Sequence, residues 1–411
     1  MIDFVEHPGA ERFSPARKIG ELLTEDLKND KHFYFFSPDE TTSNKFDQIF
    51  EVEKRAWGDL PIKRWDLPEG ANGRIVEMLS QNVLFSVMTG HLANGEQAMM
   101  GSYEAFFPII TAQLLQQMKF IKQSSRANWQ GSVPAANLLS ATTSESSSRL
   151  TRQSPAVNLL STSTCWRQDH NGFTHQSPAL ISTLLSIPSN RANCIFPIDD
   201  VAAEEAYRFM KISRDVVNLT TFDKNERPRY IDSHHANFEF VNGGASIYQF
   251  TSDEEPDIVF TACGDIVAHE SIEAIKILKE DLPDIKIRFV YVNSLSYRAI
   301  GTTNNKLSRD KFMELFTPDK PILANFHGYP ETFENILENY TLRGRLRVHG
   351  FNEEGSTTTP FEMLRRNAAS RYDLAIDVAK LAHRDDLVEK YKKILDDNHA
   401  HALQYGEDLI K

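Results

Sequence analysis

The eleven residues Trp166–Gln176, with the sequence WRQDHNGFTHQ, concentrate side chains that can take part in chemistry. They include two histidines, an aspartate and an asparagine, with almost no apolar residue between them. A buried strand or helix is not built this way, because each buried polar group needs its own hydrogen-bond partner. The pattern favours a polar loop beside a reaction centre. The alternative is a loop whose polar groups only satisfy one another.

Composition limits the classes of protein that can carry this loop. The chain has 411 residues, 41% of them hydrophobic and 25% charged, which is typical of a globular protein of two or three domains. The formal net charge of −12 disfavours a nucleic-acid or anionic-membrane partner, although it allows a small basic pocket for a phosphate.

Cysteine usage and the apolar runs predict the compartment. The three cysteines, Cys165, Cys194 and Cys263, are far apart and show no CxxC spacing, which argues against a disulfide framework or a zinc site. No apolar run approaches the roughly 18 residues of a membrane helix, and the first residues lack the pattern of a signal peptide. We therefore expect a cytoplasmic protein.

Strand and helix patterns alternate along the chain, which predicts α/β architecture with mostly parallel sheets. We expect two three-layer α/β domains, residues 1–250 and residues 251–411, with a linker near residues 252–256. The first domain should include a strand at residues 33–36 and helices at residues 45–53 and 103–122. These elements must position the polar loop.

A short tandem duplication lies just before the loop. Residues 132–140 (SVPAANLLS) recur as residues 154–161 (SPAVNLLS), and a Ser-rich run separates the two copies. Only one copy can occupy a given strand position, and the second joins directly to the polar loop. We expect the second copy to be structural and residues from about 130 to 153 to form a surface insertion.

Six segments along the chain resemble signature segments of phosphoketolases, the thiamine-diphosphate enzymes that cleave sugar phosphates to acetyl phosphate. They are FSPDETTSNK (36–45), GRIVEMLS (73–80), SYEAF (102–106), WRQDHNGFTHQ (166–176), FHGYP (326–330) and GFNEEGSTTTPF (350–361). The resemblance implies a transketolase-like pyrimidine-binding domain followed by a transketolase C-terminal-like domain. The family's N-terminal diphosphate-binding domain, with its Gly-Asp-Gly metal motif, has no counterpart in this sequence.

The resemblance also assigns roles to residues of this chain. It implies that His170, Asn171 and His175 face the substrate, that Gln81, Tyr103 and Phe106 contact the cofactor, and that Glu40, Ser43 and Lys224 contact the substrate or its phosphate. The match at Lys224 rests on the lysine alone, since its neighbours differ from the family's Gly-Lys-Gln-Pro. Tyr103 as a half-buried helix residue and Lys224 as an exposed loop lysine are the simpler alternatives. No metal ligand is expected in this chain.

One departure bears on activity. The family places a glutamate, which activates the cofactor by proton exchange with its aminopyrimidine ring, where this chain has Gln81. An amide can hydrogen-bond the ring but does not titrate in the useful range.

Two functions remain open on the sequence. The first is a subunit of a split phosphoketolase-like enzyme, in a hetero-oligomer built on a dimer, whose partner supplies the diphosphate-binding domain and most contacts to Mg²⁺ or Ca²⁺. The second is a catalytically degenerate regulatory or scaffolding paralogue that binds such a partner. A truncated gene product is a third origin, and it would expose a large apolar patch.

Overall fold

The computed structural model describes residues 4–56, 69–70, 72–124, 154–341, 343–352 and 355–410. The first copy of the duplicated segment and the Ser-rich run lie outside the described residues. Among those described, the strands in chain order are β1 (Arg12–Phe13), β2 (Phe33–Ser37), β3 (Arg55–Ala56), β4 (Glu69–Gly70), β5 (Ile75–Glu77), β6 (Gln97–Tyr103), β7 (Val157–Thr162), β8 (Ala192–Ile195), β9 (Val217–Thr221), β10 (Arg227–Pro228), β11 (Ala245–Ile247), β12 (Ile258–Cys263), β13 (Ile287–Val292), β14 (Ser294–Ser296), β15 (Ala299–Thr302), β16 (Asn305–Lys306), β17 (Ile322–Phe326) and β18 (Leu346–His349). The α-helices are α1 (Pro15–Asn29), α2 (Gln81–Ala93), α3 (Thr111–Ser124), α4 (Ala179–Ser186), α5 (Asp200–Ile212), α6 (Ser233–Val241), α7 (Asp265–Asp281), α8 (Arg309–Phe316), α9 (Pro330–Leu337), α10 (Pro360–Arg366), α11 (Arg371–Leu381) and α12 (Asp385–Tyr405).

The larger sheet has the strand order β16-β15-β14-β8-β9-β7-β6-β2-β5-β3-β4, and its pairs from β8 to β4 are parallel. Consecutive residues of a strand point to opposite faces of the sheet, and helices cover both faces. Phe36, Met100 and Leu159 pack with residues of α2, α3 and α4. Their neighbours Phe35, Met99 and Leu160 pack with residues of α1 and α5 on the other side.

The smaller sheet has the order β11-β13-β12-β17-β18 and is parallel except where β11 pairs with β13. Mostly parallel sheets flanked by helices confirm the predicted α/β class. The two sheets exchange strands: β11 joins the smaller sheet, whereas β14, β15 and β16, which follow β13 in the chain, extend the larger one through β8. A domain boundary near residue 250 stays a prediction.

A ladder of buried asparagines crosses the larger sheet. The amide of Asn193 on β8 donates to Asn218 on β9 at 2.8 Å, and the amide of Asn218 donates to Asn158 on β7 at 2.8 Å. Asn193 also accepts the backbone N–H of Thr303 at 2.7 Å. Asn158 belongs to the second copy of the duplicated segment, and that copy supplies strand β7, as we expected.

Two of the predicted helices are wrong in part. Residues 45–53 form only a 3-10 helix, Asp47–Glu51, and no helix begins at Lys45, which takes a left-handed conformation with φ of 64°. Residues 103–122 are not one helix. Tyr103 ends strand β6, a 3-10 helix with Pro108 inside it covers Glu104–Ile110, and α3 starts only at Thr111. Proline lacks the N–H that a continuous α-helix would need there.

Candidate functional site

The candidate site lies where parallel strands of the larger sheet end. Glu40 follows β2, Tyr103 ends β6, the polar loop follows β7, and Lys224 follows β9. These four strands are neighbours in the order β9-β7-β6-β2, so their carboxyl ends meet at one edge. In open α/β sheets this edge is the usual place for ligands. Helix α2 begins at the same edge, after β5.

Glu40 is the centre of a hydrogen-bond network. Its Oε2 accepts the backbone N–H of Tyr103 at 2.8 Å and the hydroxyl of Ser102 at 3.0 Å. Burial raises the pKa of Glu40 to about 7, although these two donors and the charge of Lys224 favour the ionised form. Glu40 therefore changes charge near neutral pH.

Gln81 lies beside this carboxylate. Ser80 caps helix α2, with its side chain accepting the N–H of Val83, and so Gln81 is the first residue of the helix. Its Nε2 donates to Ser102 Oγ at 2.7 Å. Its Oε1 is buried and has no hydrogen-bond partner among the described residues. A buried acceptor without a donor is costly, which suits a ligand that completes the bond.

An aromatic wall borders the network. The rings of Tyr103 and Phe106 stack with centroids 5.7 Å apart and an interplanar angle of 11°. His175 lies against both rings, with its centroid 5.2 Å from that of Phe106. Lys224 Nζ is 5.0 Å from the centre of the Tyr103 ring, within cation–π distance. Burial lowers the pKa of Lys224, and the positive charge of Lys45 adds to this effect.

The remaining predicted residues, His170, Asn171 and Ser43, are exposed. His170 is exposed and pairs through Nδ1 with Asp169, and Asn171 is exposed with its amide donating to Gln168. Ser43, also exposed, donates to the backbone oxygen of Glu40 at 3.0 Å. The predicted set is therefore brought together at Glu40, Gln81, Tyr103, Phe106, His175 and Lys224. His170 and Asn171 are exposed and bond to Asp169 and Gln168 instead.

A second loop, residues 355–359, holds the polar loop in place. Gln176 donates to the backbone oxygen of Ser356 at 2.9 Å and accepts the N–H of Ser356 at 3.1 Å. The N–H of Thr358 donates to the backbone oxygen of Asp169 at 2.9 Å. Gly355, with φ of +58°, passes so close to Phe173 that an added Cβ would lie 2.2 Å from the Phe173 Cβ.

Below the site, a buried cluster links the two sheets. Glu104 follows Tyr103 and accepts the backbone N–H of Cys165 at 2.7 Å. His327, in the loop after β17, lies 2.9 Å from Glu104, and its backbone oxygen accepts the indole N–H of Trp166 at 2.9 Å. Burial, followed by the charge of Glu104, raises the pKa of the Cys165 thiol well above its usual value. Glu104 and His327 therefore hold both the end of the strand that carries Tyr103 and the start of the polar loop.

Sequence reasoning missed Ser102 and Lys45 as parts of the site. Ser102 stands in the SYEAF segment directly before Tyr103, and the alternation of strand β6 would have turned it away from Tyr103. Glu77, the nearest carboxylate in sequence to Gln81, is already engaged by the hydroxyl of Thr41 at 2.5 Å and by Arg55.

In the part of the chain that the structure describes, no helix combines the length and hydrophobicity needed to cross a membrane.

Comparisons with known proteins cover nearly all of this architecture. Residues 17–149 and 144–206 match the model of D-xylulose 5-phosphate/D-fructose 6-phosphate phosphoketolase, and residues 224–411 match the model of the XFP C-terminal domain. Proteins named "Probable phosphoketolase" from Rhodopseudomonas palustris and Synechococcus elongatus are each 33% identical over 98% of this chain. The alignments cover 50% and 49% of those proteins, so the chain spans about half their length.

Solved structures share the fold at low sequence identity. Transketolase from Leishmania mexicana superposes with a TM-score of 0.65 at 12% identity, covering 92% of this chain and 47% of that one. A structure described as a split gene transketolase, inactive beta4 tetramer, gives a TM-score of 0.57 at 13% identity, covering 90% of this chain and 98% of that one. Two models of one family together match most of the sequence, and relatives of that family align along almost all of it: the chain belongs to the phosphoketolase family.

Proposed function

We propose that this chain is one subunit of a split phosphoketolase-like enzyme that uses thiamine diphosphate for carbon–carbon cleavage and acyl transfer on a phosphorylated ketose. The observation that carries the proposal is the meeting, at one sheet edge, of the Tyr103–Phe106 wall, the unpartnered acceptor of Gln81 and the ammonium of Lys224. A separate subunit would supply the diphosphate-binding domain and most ligands of the Mg²⁺ or Ca²⁺ ion.

The described residues fit the pyrimidine end of the cofactor. An aminopyrimidine is a flat ring with hydrogen-bonding edges, so it suits an aromatic wall beside a buried amide. Tyr103 and Phe106 would pack against the ring, and Gln81 would bond its edge. When bound, thiamine diphosphate supplies the carbon nucleophile that attacks a ketose carbonyl.

Residues around the aromatic wall would contact the substrate. Lys224, with the charge of Lys45 nearby, would attract a phosphate group. His175 against the wall and His170 and Asn171 at the open side would face substrate oxygens. Glu40 and Ser43 would form the polar corner opposite them.

An exposed apolar surface supports a partner subunit. Leu79 is 80% exposed just before α2, and Val83 and Val87 are exposed along the helix. Ile109 and Phe120 are also exposed, in the 3-10 helix before α3 and in α3 itself. Exposed apolar patches of this kind are typical of interaction sites. The chain also covers nearly all of a split-gene transketolase chain.

The test is calorimetry with thiamine diphosphate and Mg²⁺, followed by an assay of acetyl phosphate from xylulose 5-phosphate or fructose 6-phosphate. We expect weak or no binding by the chain alone, and tight binding with turnover once a co-purified partner, identified by mass spectrometry, is added. Leu79→Asp and Val83→Asp should abolish partner binding, whereas Ile212→Asp, an exposed apolar control on α5, should not. Tight binding by the isolated chain would contradict the split-subunit proposal.

Gln81 itself favours a second candidate, a catalytically degenerate paralogue that binds and regulates a diphosphate-domain partner. The discriminating variant is Gln81→Glu in the reconstituted complex. An inactive wild-type complex that gains turnover with the glutamate supports the degenerate paralogue. Turnover by the wild-type complex rejects it.

A further inference from the structure

We propose that the protonation state of Glu40 decides, through the hydroxyl of Ser102, which end of the Gln81 side-chain amide is free for a ligand. The three side chains form one chain of hydrogen bonds: Gln81 Nε2 lies 2.7 Å from Ser102 Oγ, which lies 3.0 Å from Glu40 Oε2. That the ligand is the aminopyrimidine ring rests on the proposed function. The hydrogen-bond chain itself does not.

With Glu40 ionised, the direction of every bond in the chain is fixed. A carboxylate only accepts, so the Ser102 hydroxyl must donate its one proton to Glu40. The lone pairs of Ser102 then accept from the Gln81 amide, which has to present Nε2. This leaves Gln81 Oε1 as the free end, and it is the buried atom without a partner among the described residues. The free end is an acceptor.

Protonation of Glu40 on Oε2 reverses the donor and acceptor roles in both hydrogen bonds, the one between Glu40 and Ser102 and the one between Ser102 and Gln81. The new O–H donates to Ser102 Oγ, and the Ser102 proton turns towards Gln81. The amide then rotates about its Cγ–Cδ bond to present Oε1, and Nε2 becomes the free end. The proton comes from solvent and no other covalent bond changes. The free end is now a donor, which matches a neutral ring nitrogen, whereas the ionised state matches a protonated one.

The charged groups around the chain allow this change near neutral pH. Burial disfavours the charge on Glu40 and raises its pKa to about 7, against the donors Tyr103 N–H and Ser102 and the charge of Lys224. Lys45 adds a second cation near Lys224. On the β5 side, Glu77 is held by Thr41 and Arg55, and Arg55 also lies 3.9 Å from Asp39. His175 lies against the Tyr103 ring, with the centroids 6.0 Å apart.

The experiment is an NMR titration of the full chain, labelled with ¹⁵N-glutamine and with ¹³C-glutamate, from pH 5 to pH 9. We expect the Gln81 side-chain amide to shift with one midpoint near pH 7, equal to the midpoint of the Glu40 carboxyl. Gln81→Glu identifies its signals by their loss. Gln113, whose amide is bonded to Asn82 and Ser86 on α2, is the internal control and should not follow this midpoint.

Two variants separate the steps. Glu40→Gln should remove the Gln81 shift. Ser102→Ala should keep a Glu40 titration, moved to higher pH because a donor to the carboxylate is lost, but uncouple Gln81 from it. The proposal is overturned if wild-type Gln81 stays flat while Glu40 titrates, or if Glu40 titrates near pH 4.5 like an exposed carboxyl. These readings need no cofactor and no partner. Failure of thiamine diphosphate to bind the assembled complex would overturn the proposed function and the identity of the ligand, but not the coupling.

Discussion

The imidazole of His327 and the carboxylate of Glu104 lie 2.9 Å apart, and both side chains are buried. Burial alone would lower the pKa of His327, but the charge of Glu104, with that of Asp265 and Asp223, outweighs it and raises the pKa above its usual value. The pair joins the loop after β17 of the smaller sheet to the end of β6 in the larger one. It is a buried contact between the two sheets that favours the protonated imidazole.

Glu104→Gln should destabilise the protein by about 3–5 kcal/mol near pH 6, because it leaves a buried imidazolium without its counter-ion. The raised pKa means that the stabilisation is complete below about pH 6.5 and is lost as pH rises through the folded-state pKa. The free energy of unfolding of the variant should therefore depend less on pH in this range. Urea unfolding between pH 5 and pH 9 measures both effects. Glu334→Gln, at an exposed pair with Arg343, is the control and should change stability far less.

Glu40→Gln should remove a second fall of stability with rising pH, in a lower pH range. The folded chain holds the Glu40 proton to about pH 7, whereas the unfolded chain releases it near pH 4.5, so wild-type stability falls between these values. The amide removes this fall, which is on the order of 3 kcal/mol. The free energy of unfolding of the variant minus that of wild type should therefore be more positive at pH 8 than at pH 5. The same pH profile for wild type and variant would contradict the prediction, and Glu389→Gln, at an exposed pair on α12, is the control.

Gly355→Ala should loosen the polar loop. The added Cβ would meet the Cβ of Phe173 at 2.2 Å in a left-handed conformation, so the backbone must shift, at about 1–3 kcal/mol beyond the conformational penalty. Gly172→Ala is the matched control, since its φ is +74° but its Cβ would meet only Thr357 Oγ1, at 3.4 Å. With φ of 74° and ψ of −174°, Gly172 lies in a backbone region used almost only by glycine, so this control should cost about 1–3 kcal/mol from the conformation alone. Hydrogen exchange at His175 and Gln176 should rise far more in the Gly355 variant, and equal effects would refute the contact.

Asn218→Ala should cost about 2–5 kcal/mol in the free energy of unfolding. It breaks both bonds of the buried ladder and leaves Asn193 and Asn158 without that partner, at about 1–3 kcal/mol for each orphaned group. Chemical denaturation compares it with Asn237→Ala, whose exposed amide bonds Glu205 at 2.9 Å. That control should change stability by no more than about 1 kcal/mol. A loss no larger than the control's would show that the ladder contributes little.

The sequence predicts the fold well where strands carry β-branched and aromatic residues. It predicts the fold poorly where a segment is a strand only because neighbouring strands pair with it. Phe33–Ser37, with its three phenylalanines and a tyrosine, is a strand as expected. Gln97–Tyr103 is rich in good helix formers, yet it is a strand because it fills the gap between β2 and β7. The short strands of residues 294–306 were also missed, since their partner β8 lies far away in the sequence.

The candidate site shows the same division. The resemblance to known segments locates Gln81, Tyr103 and Lys224, which the fold brings to one edge. The network among them depends on distances that no motif carries. Ser102 becomes important only because β6 sets it between Glu40 and Gln81. The roles of all these residues stay predictions until the variants are measured.

The strand exchange between the sheets makes each half of the chain incomplete without the other. A cut near residue 250 would take β14, β15 and β16 from the larger sheet and leave β8 with an open edge. The same cut would take β11 from the smaller sheet and open an edge on β13. Open edges of this kind invite pairing with other chains. Because each sheet borrows strands from the other half of the chain, we expect the two halves to unfold together in one cooperative transition.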